Sequence, residues 1–222
     1  LSTAALAAIS SSAAAGITTA QISTLDAAEM QALGTDVSQL NSAVVASLST
    51  AQATALTTDQ INALDSADMA ALSTDAFAAL STEGLAAISS SAAAGITSAQ
   101  IGTLDGAEMQ ALGTDVSQLN TATVASLSTE QVAALTTEQL HALDSADVAA
   151  LSDDIVSSLT SAQVAALSAD GFSGLSTTDL SAMSSETIAG ITAAQVATLD
   201  ASEIQALGTD IANLDAAALA GL

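Results

Sequence analysis

The sequence predicts an all-α solenoid of stacked short helices, one to each eight-residue repeat. Three observations carry that expectation. From Ser2 onward the chain divides without remainder into 28 repeats, 25 of eight residues and three of seven, and Leu1 completes the 222 residues. Every repeat opens on Ser, Thr, Asp, Asn or Gly, the residue types favoured at a helix N-cap, and closes on Leu, Ile or Met. Position 5 is apolar in every full-length repeat, three residues before the closing position, so the two share one helical face.

Each part of the octad has a reason. Position 1 caps. Position 4 is Gln or Glu in 11 repeats, at the spacing at which a side chain reaches back to the capping residue's own N–H. Positions 6 and 7 are mostly Ala, the best helix former, as in STEQVAAL from Ser128 or DSADVAAL from Asp144. A strand needs alternation and β-branched enrichment, and VAAL and EMQAL offer neither. One continuous helix fails as well, because an apolar pair recurring every eight residues drifts around a 3.6-residue turn. The expectation is therefore a cap and about two helical turns per octad. Such helices are marginal alone, since nucleation is costly. They must stack through positions 5 and 8, so Leu135, Leu143 and Leu151 should be buried in one apolar column, with positions 2 and 3 exposed.

The three short repeats are GTDVSQL from Gly34, GTDVSQL from Gly113 and GTDIANL from Gly208, and their glycines read as isolated cap or turn residues. A longer period overlies the octad: residues 2–80 and 81–159 agree at all but 19 of 79 positions, and 160–222 is a partial third copy. The expected organisation is one repeat array over 1–222. Leu1 reads as the last residue of an unseen repeat, so the chain is expected to be a segment of a longer one. Continuation in the same chain, or end-to-end self-association, would cover the apolar ends.

Composition narrows function. The net charge is −24, with 24 Asp plus Glu and no Lys or Arg. That removes the cations on which phosphate binding depends, so no nucleic-acid partner is expected, nor attraction to anionic lipid. No apolar run approaches the ~20 residues of a membrane helix. All 24 carboxylates fall in the first four positions of their repeats. A carboxylate there meets unpaired amides and the positive end of the helix dipole, worth about 0.3–1 kcal/mol each.

No constellation for catalysis emerges. His141 is the single histidine, set in TTEQLHAL where the copy 79 residues earlier has Asn62, and it reads as a surface residue. Serines are abundant, but none lies in a GxSxG elbow and a triad would depend on that one His. No glycine loop is followed by Lys. Calcium would need ligand-dense loops such as DxDxDG, and Asp153–Asp154 is the one adjacent acidic pair. No catalytic, cofactor or metal site is therefore assigned, only weak, non-specific screening by divalent cations. The TT, ST and SS pairs suggest an ice-binding face, but Asp interrupts the rows.

LTTEQLHAL, LSTEQVAAL and LTSAQVAAL share the pattern L-[ST]-T-x-Q-[VI]-x-x-L. That pattern resembles the tandem repeats of very large bacterial surface proteins, loosely described as adhesion or haem-utilisation proteins. The haem description finds little here: one His and no Tyr or Cys leave almost no axial ligands. The resemblance implies export and a scaffold at the cell surface. The expectation is an extracellular stalk, fibre or filament, not an enzyme. The alternative is a groove-binding solenoid recognising a peptide or polysaccharide.

Overall fold

The computed structural model describes residues 2–222, as 25 α-helices and three 3-10 helices with no strand among the described residues. The α-helices run four to six residues, for example Thr3–Leu6 and Thr137–Ala142, shorter than two turns. The remaining residues of each octad form the cap and the exit. After most six-residue helices position 8 is extended, as at Leu143 (φ −65°, ψ 133°), and the chain leaves at once for the next cap; Leu33, Leu112 and Leu207 instead stay helical and lead into the short repeats.

The caps are built as the spacing predicts. Before Thr137–Ala142, Thr136 Oγ1 accepts from the Gln139 N–H at 3.2 Å, and Gln139 Oε1 accepts from the Thr136 N–H at 3.0 Å. All 11 Gln and Glu at position 4 close this reciprocal pair, and Asp68, Asp147 and Asp179 close it too. The short repeats depart from the octad. They are 3-10 helices, Gly34–Gln39, Gly113–Gln118 and Gly208–Asn213, without a side-chain cap. Their glycines have φ of +54° or +55°, so each ends the preceding helix in the left-handed conformation instead of opening its own. A tighter 3-10 turn then lets seven residues do the work of eight.

The chain forms two compact units, residues 1–120 and 121–222. In each, a helix stacks on the one three repeats further on. In the first unit Ser42–Ala46 packs on Ser66–Ala71, which packs on Ser90–Ala93. In the second Thr121–Val124 packs on Ser145–Ala150, which packs on Ala169–Phe172. Three repeats, about 24 residues, therefore make one coil of an α-solenoid. The ten-repeat sequence period is not a multiple of three, so it is a duplication unit and not a structural turn.

Positions 5 and 8 line the interior. Leu135, Leu143 and Leu151 are 6%, 1% and 7% exposed. They do not form one column: consecutive repeats occupy successive sides, so the leucines wind around the inner wall. Phe77 and Phe172, and even Ala14, Ala53 and Ala93, are buried at position 5. Exceptions cluster near the two extremes, where Ile9, Leu199, Ile204 and Ile211 are half-buried and Leu219 and Leu222 exposed. Positions 2 and 3 mostly face solvent; Gly106, Ser145, Ser161, Ala169 and Ala193 at position 2, and Asp36, Asp115 and Asp210 at position 3 of the short repeats, are half-buried.

At three repeats the coils approach closely enough to require glycine at position 7, which is Ala in most others. A Cβ on Gly95 would stand 1.9 Å from the Ser66 carbonyl oxygen, one on Gly174 2.2 Å from that of Ser145, and one on Gly190 2.2 Å from that of Ser161. Each contact joins position 7 to position 2 three repeats earlier. Gly16 occupies the same octad sequence, SSSAAAGI, and a Cβ there would meet only its own Ala13 carbonyl oxygen at 3.3 Å. Gly95→Ala should therefore cost about 3 kcal/mol through overpacking, and Gly16→Ala less than about 0.5 kcal/mol. Urea denaturation of the two variants checks this, and equal midpoints would contradict the coil register.

Candidate functional site

The polar groups that the fold brings together form a ladder between coils. Gln52, Gln60, Gln100 and Gln195 at position 4 are 5%, 1%, 1% and 1% exposed. While Oε1 holds the cap, Nε2 crosses to the helix end four repeats back. Gln100 donates to the carbonyls of Met69 and Leu72, both at 2.8 Å, and Gln195 to those of Val164 at 2.7 Å and Leu167 at 2.8 Å. Gln52 reaches Ile22 and Leu25 at 2.6 and 3.1 Å, Gln60 reaches Met30 and Gly34 at 2.7 and 3.1 Å, and Gln163 reaches Val132 at 3.1 Å. The carbonyls of Ile22, Met30, Val132 and Val164 also accept the N–H of the residue that closes their own repeat, so the amide supplies the second bond that a carbonyl oxygen can take. One primary amide thus satisfies a helix start and a helix end in different coils, which needs an acceptor and two donors on one side chain.

Other side chains fill that position differently. Thr187 Oγ1 donates to Leu159 O at 3.0 Å. Asp179 accepts the Ser176 N–H and hydroxyl on Oδ2, at 2.8 and 2.6 Å, while its Oδ1 is buried with no hydrogen-bond partner. A carboxylate can cap but cannot donate. Burial raises the Asp68 carboxyl above its ordinary range; the Asp65 backbone N–H opposes this and the Asp65 charge adds to it. Asp147 is raised by the same causes, with Asp144 as its partner.

The exposed carboxylates are held the other way. Glu138 is lowered chiefly by its own backbone N–H and then by the Thr137 hydroxyl. Asp200 is lowered first by the Glu203 N–H, at 2.9 Å, and then by Ser202. Outer rungs reinforce the stack, as Ser11 Oγ donates to Asp36 at 2.6 Å and Ser185 Oγ to Asp210 at 2.8 Å, each three repeats on. His141 lies exposed on Thr137–Ala142, and Asp153 and Asp154 lie exposed in the first turn of their helix. Among the described residues no group of three or more His, Asp or Glu is placed to hold a metal ion, and no helix is long and apolar enough to cross a membrane.

Two stability effects follow. Asp179→Gln should place an amide toward the carbonyls 31 and 28 residues earlier, those of Val148 and Leu151, and stabilise the fold by about 1–3 kcal/mol by removing the unpaired buried oxygen; a thermal melt reads the gain. The second effect depends on pH. A raised folded-state pKa makes a contribution that is full below the unfolded pKa, ~3.9 for Asp, and is lost as pH rises through the folded value. Asp68→Asn with Asp147→Asn should thus raise the urea midpoint at pH 7, with the gain shrinking as pH falls toward 4. A gain that instead grows on acidification would contradict the burial of these two groups.

Comparison with known families places the octad. The ALTTAQ repeat family matches residues 30–66, 61–95 and 114–145, together under half of the chain. The same order stands at Ala55–Gln60 as ALTTDQ and at Ala134–Gln139 as ALTTEQ; the final Gln caps in both, and Gln60 is one of the bridging residues described above. No curated protein matches the chain. The protein is a tandem-repeat protein whose octads are similar to the ALTTAQ repeat.

Proposed function

We propose that this chain is a structural scaffold, a spacer whose length is set by its number of coils, and not an enzyme. The observation that carries the reading is the glutamine ladder. Gln52, Gln60, Gln100 and Gln195, buried polar side chains, hold one coil on another by the same bonds in both units. An array held by a recurring bond extends by adding repeats, which is what a stalk or filament requires. Absence of Lys and Arg supports an extracellular place at a bacterial surface, since a chain without them offers trypsin-like proteases no cleavage site. End-to-end association belongs to the same reading. An array whose coils hold one another by a recurring bond offers the same surfaces to a second copy. The −24 charge would keep neighbouring spacers apart laterally until salt screens it.

The test is a length series. Duplicating one coil of three repeats, then two, should lengthen the particle by about 9 Å per coil, the spacing of packed helices. Small-angle scattering reads the maximum dimension at several protein concentrations. A dimension that does not grow with added coils would defeat the spacer reading, and an unchanging mass at high concentration would remove the end-on part of it.

A further inference from the structure

The second unit contains a cavity of 260 Å³, open to solvent, where the end of Asp153–Ser158 and the start of Ser161–Ala166 meet the start of Ser185–Ile188. Its origin is legible residue by residue. Position 4 of the overlying repeat is Thr187, which reaches the Leu159 carbonyl but is too short to reach a second acceptor as Gln does. Positions 6 and 7 of the underlying repeat are Ser157 and Ser158, where Ala is usual. The corner that a glutamine fills in other coils is left open here and lined with hydroxyls.

The direction of the hydrogen bonds decides what the cavity can hold. Ser157 Oγ donates to the Asp154 carbonyl at 3.0 Å and Ser158 Oγ to the Ile155 carbonyl at 2.7 Å. Thr160 Oγ1 donates to Gln163 Oε1 at 3.1 Å. Thr187 spends its hydrogen on Leu159, so in the 2.9 Å contact between Ser184 and Thr187 it is Ser184 that donates. Five hydroxyl hydrogens are committed to the protein itself, and their oxygens retain lone pairs. Glu186 adds a carboxylate at the wall. The Ser161 hydroxyl also lines the cavity and can donate, so the wall is five acceptors to one such donor, with a negative charge, in a chain that has no Lys or Arg of its own to satisfy it.

We propose that this cavity binds an organic cation rich in N–H donors, a guanidinium or primary ammonium group supplied by another molecule. Its planar or three-fold donors meet the hydroxyl oxygens while its charge meets Glu186. An anion would meet the Glu186 carboxylate with only the Ser161 hydroxyl as a side-chain donor, and a neutral isostere lacks the charge.

The test uses backbone amide shifts of the whole chain at 150 mM salt, titrated with butylamine and with arginine amide and citrulline amide whose α-amines are acetylated, so that the citrulline compound is neutral. Arginine amide and butylamine should move residues 157–161 and 184–187 saturably, and citrulline amide should not. Thr187→Gln places in the cavity the side chain carried by other corners and should weaken binding at least tenfold with the fold kept. Glu186→Gln, an exposed change, should weaken it similarly. Spermidine and a Gly-Arg-Gly peptide, run in parallel, separate a free polyamine from a protein side chain as the source. Shifts spread over all the acidic helix starts, an equal response to citrulline amide, or binding unchanged in both variants would each overturn the proposal.

Discussion

The fold depends on the two-ended use of one amide. A four- to six-residue helix cannot satisfy its own termini, and stacking alone would bury donors and acceptors without partners. The position 4 glutamine resolves both ends at once, and in doing so fixes geometry. Its helix must start above the corner where the chain left another helix four repeats earlier, as Gln100 lies over Met69 and Leu72. With each helix stacked on the one three repeats back, that corner is the junction between the repeats three and four before. The three-repeat coil, the extended exit at position 8 and the glycines under Ser66, Ser145 and Ser161 all follow from keeping those ends in register.

The octad shows its local physics openly. Caps, the reciprocal pair at position 4, the buried faces at 5 and 8 and the placement of every carboxylate can be read from spacing, because each rests on neighbours within one repeat. The coil could not be read the same way, since three helices per turn is a relation between residues 24 to 31 apart. A trace of it was nevertheless present. A capping pair accepts Glu as readily as Gln, yet position 4 holds eight Gln and three Glu, and the Glu are Glu29, Glu108 and Glu203, each in the repeat before a short one. Those three are half-buried or better exposed to water than the Gln at the centre of the coils. The excess of the amide over the acid was the signature of a second, long-range partner. The short repeats misled for a related reason: Gly suits both a cap and a left-handed helix end, and only the backbone tells which.

Carrying 24 carboxylates without one opposing side chain is possible because the counter-charge is in the backbone. Asp26, Asp65, Asp105, Asp144, Asp200 and Asp215 each take the N–H of a helix start as a cap. Many short helices provide many such starts, so the division into octads and the acidity of the chain are one choice seen twice. The exceptions are instructive. Asp68, Asp147 and Asp179 sit where burial and not solvent surrounds the group, and there the acid is a poorer residue than the amide it replaces.

Bonds that reach back only four repeats have a mechanical meaning. The side-chain bonds described between coils span 24 to 31 residues, so within a unit tension on one coil would load the bonds to its near neighbours first. A released coil of about 24 residues spans about 80 Å when pulled straight, against about 9 Å when stacked. Extension would come in equal steps, one coil at a time, each absorbing work as its amides part from their carbonyls. A repeat array built this way would yield without breaking and rewind when the load falls, because the bonds that open join partners still close in sequence.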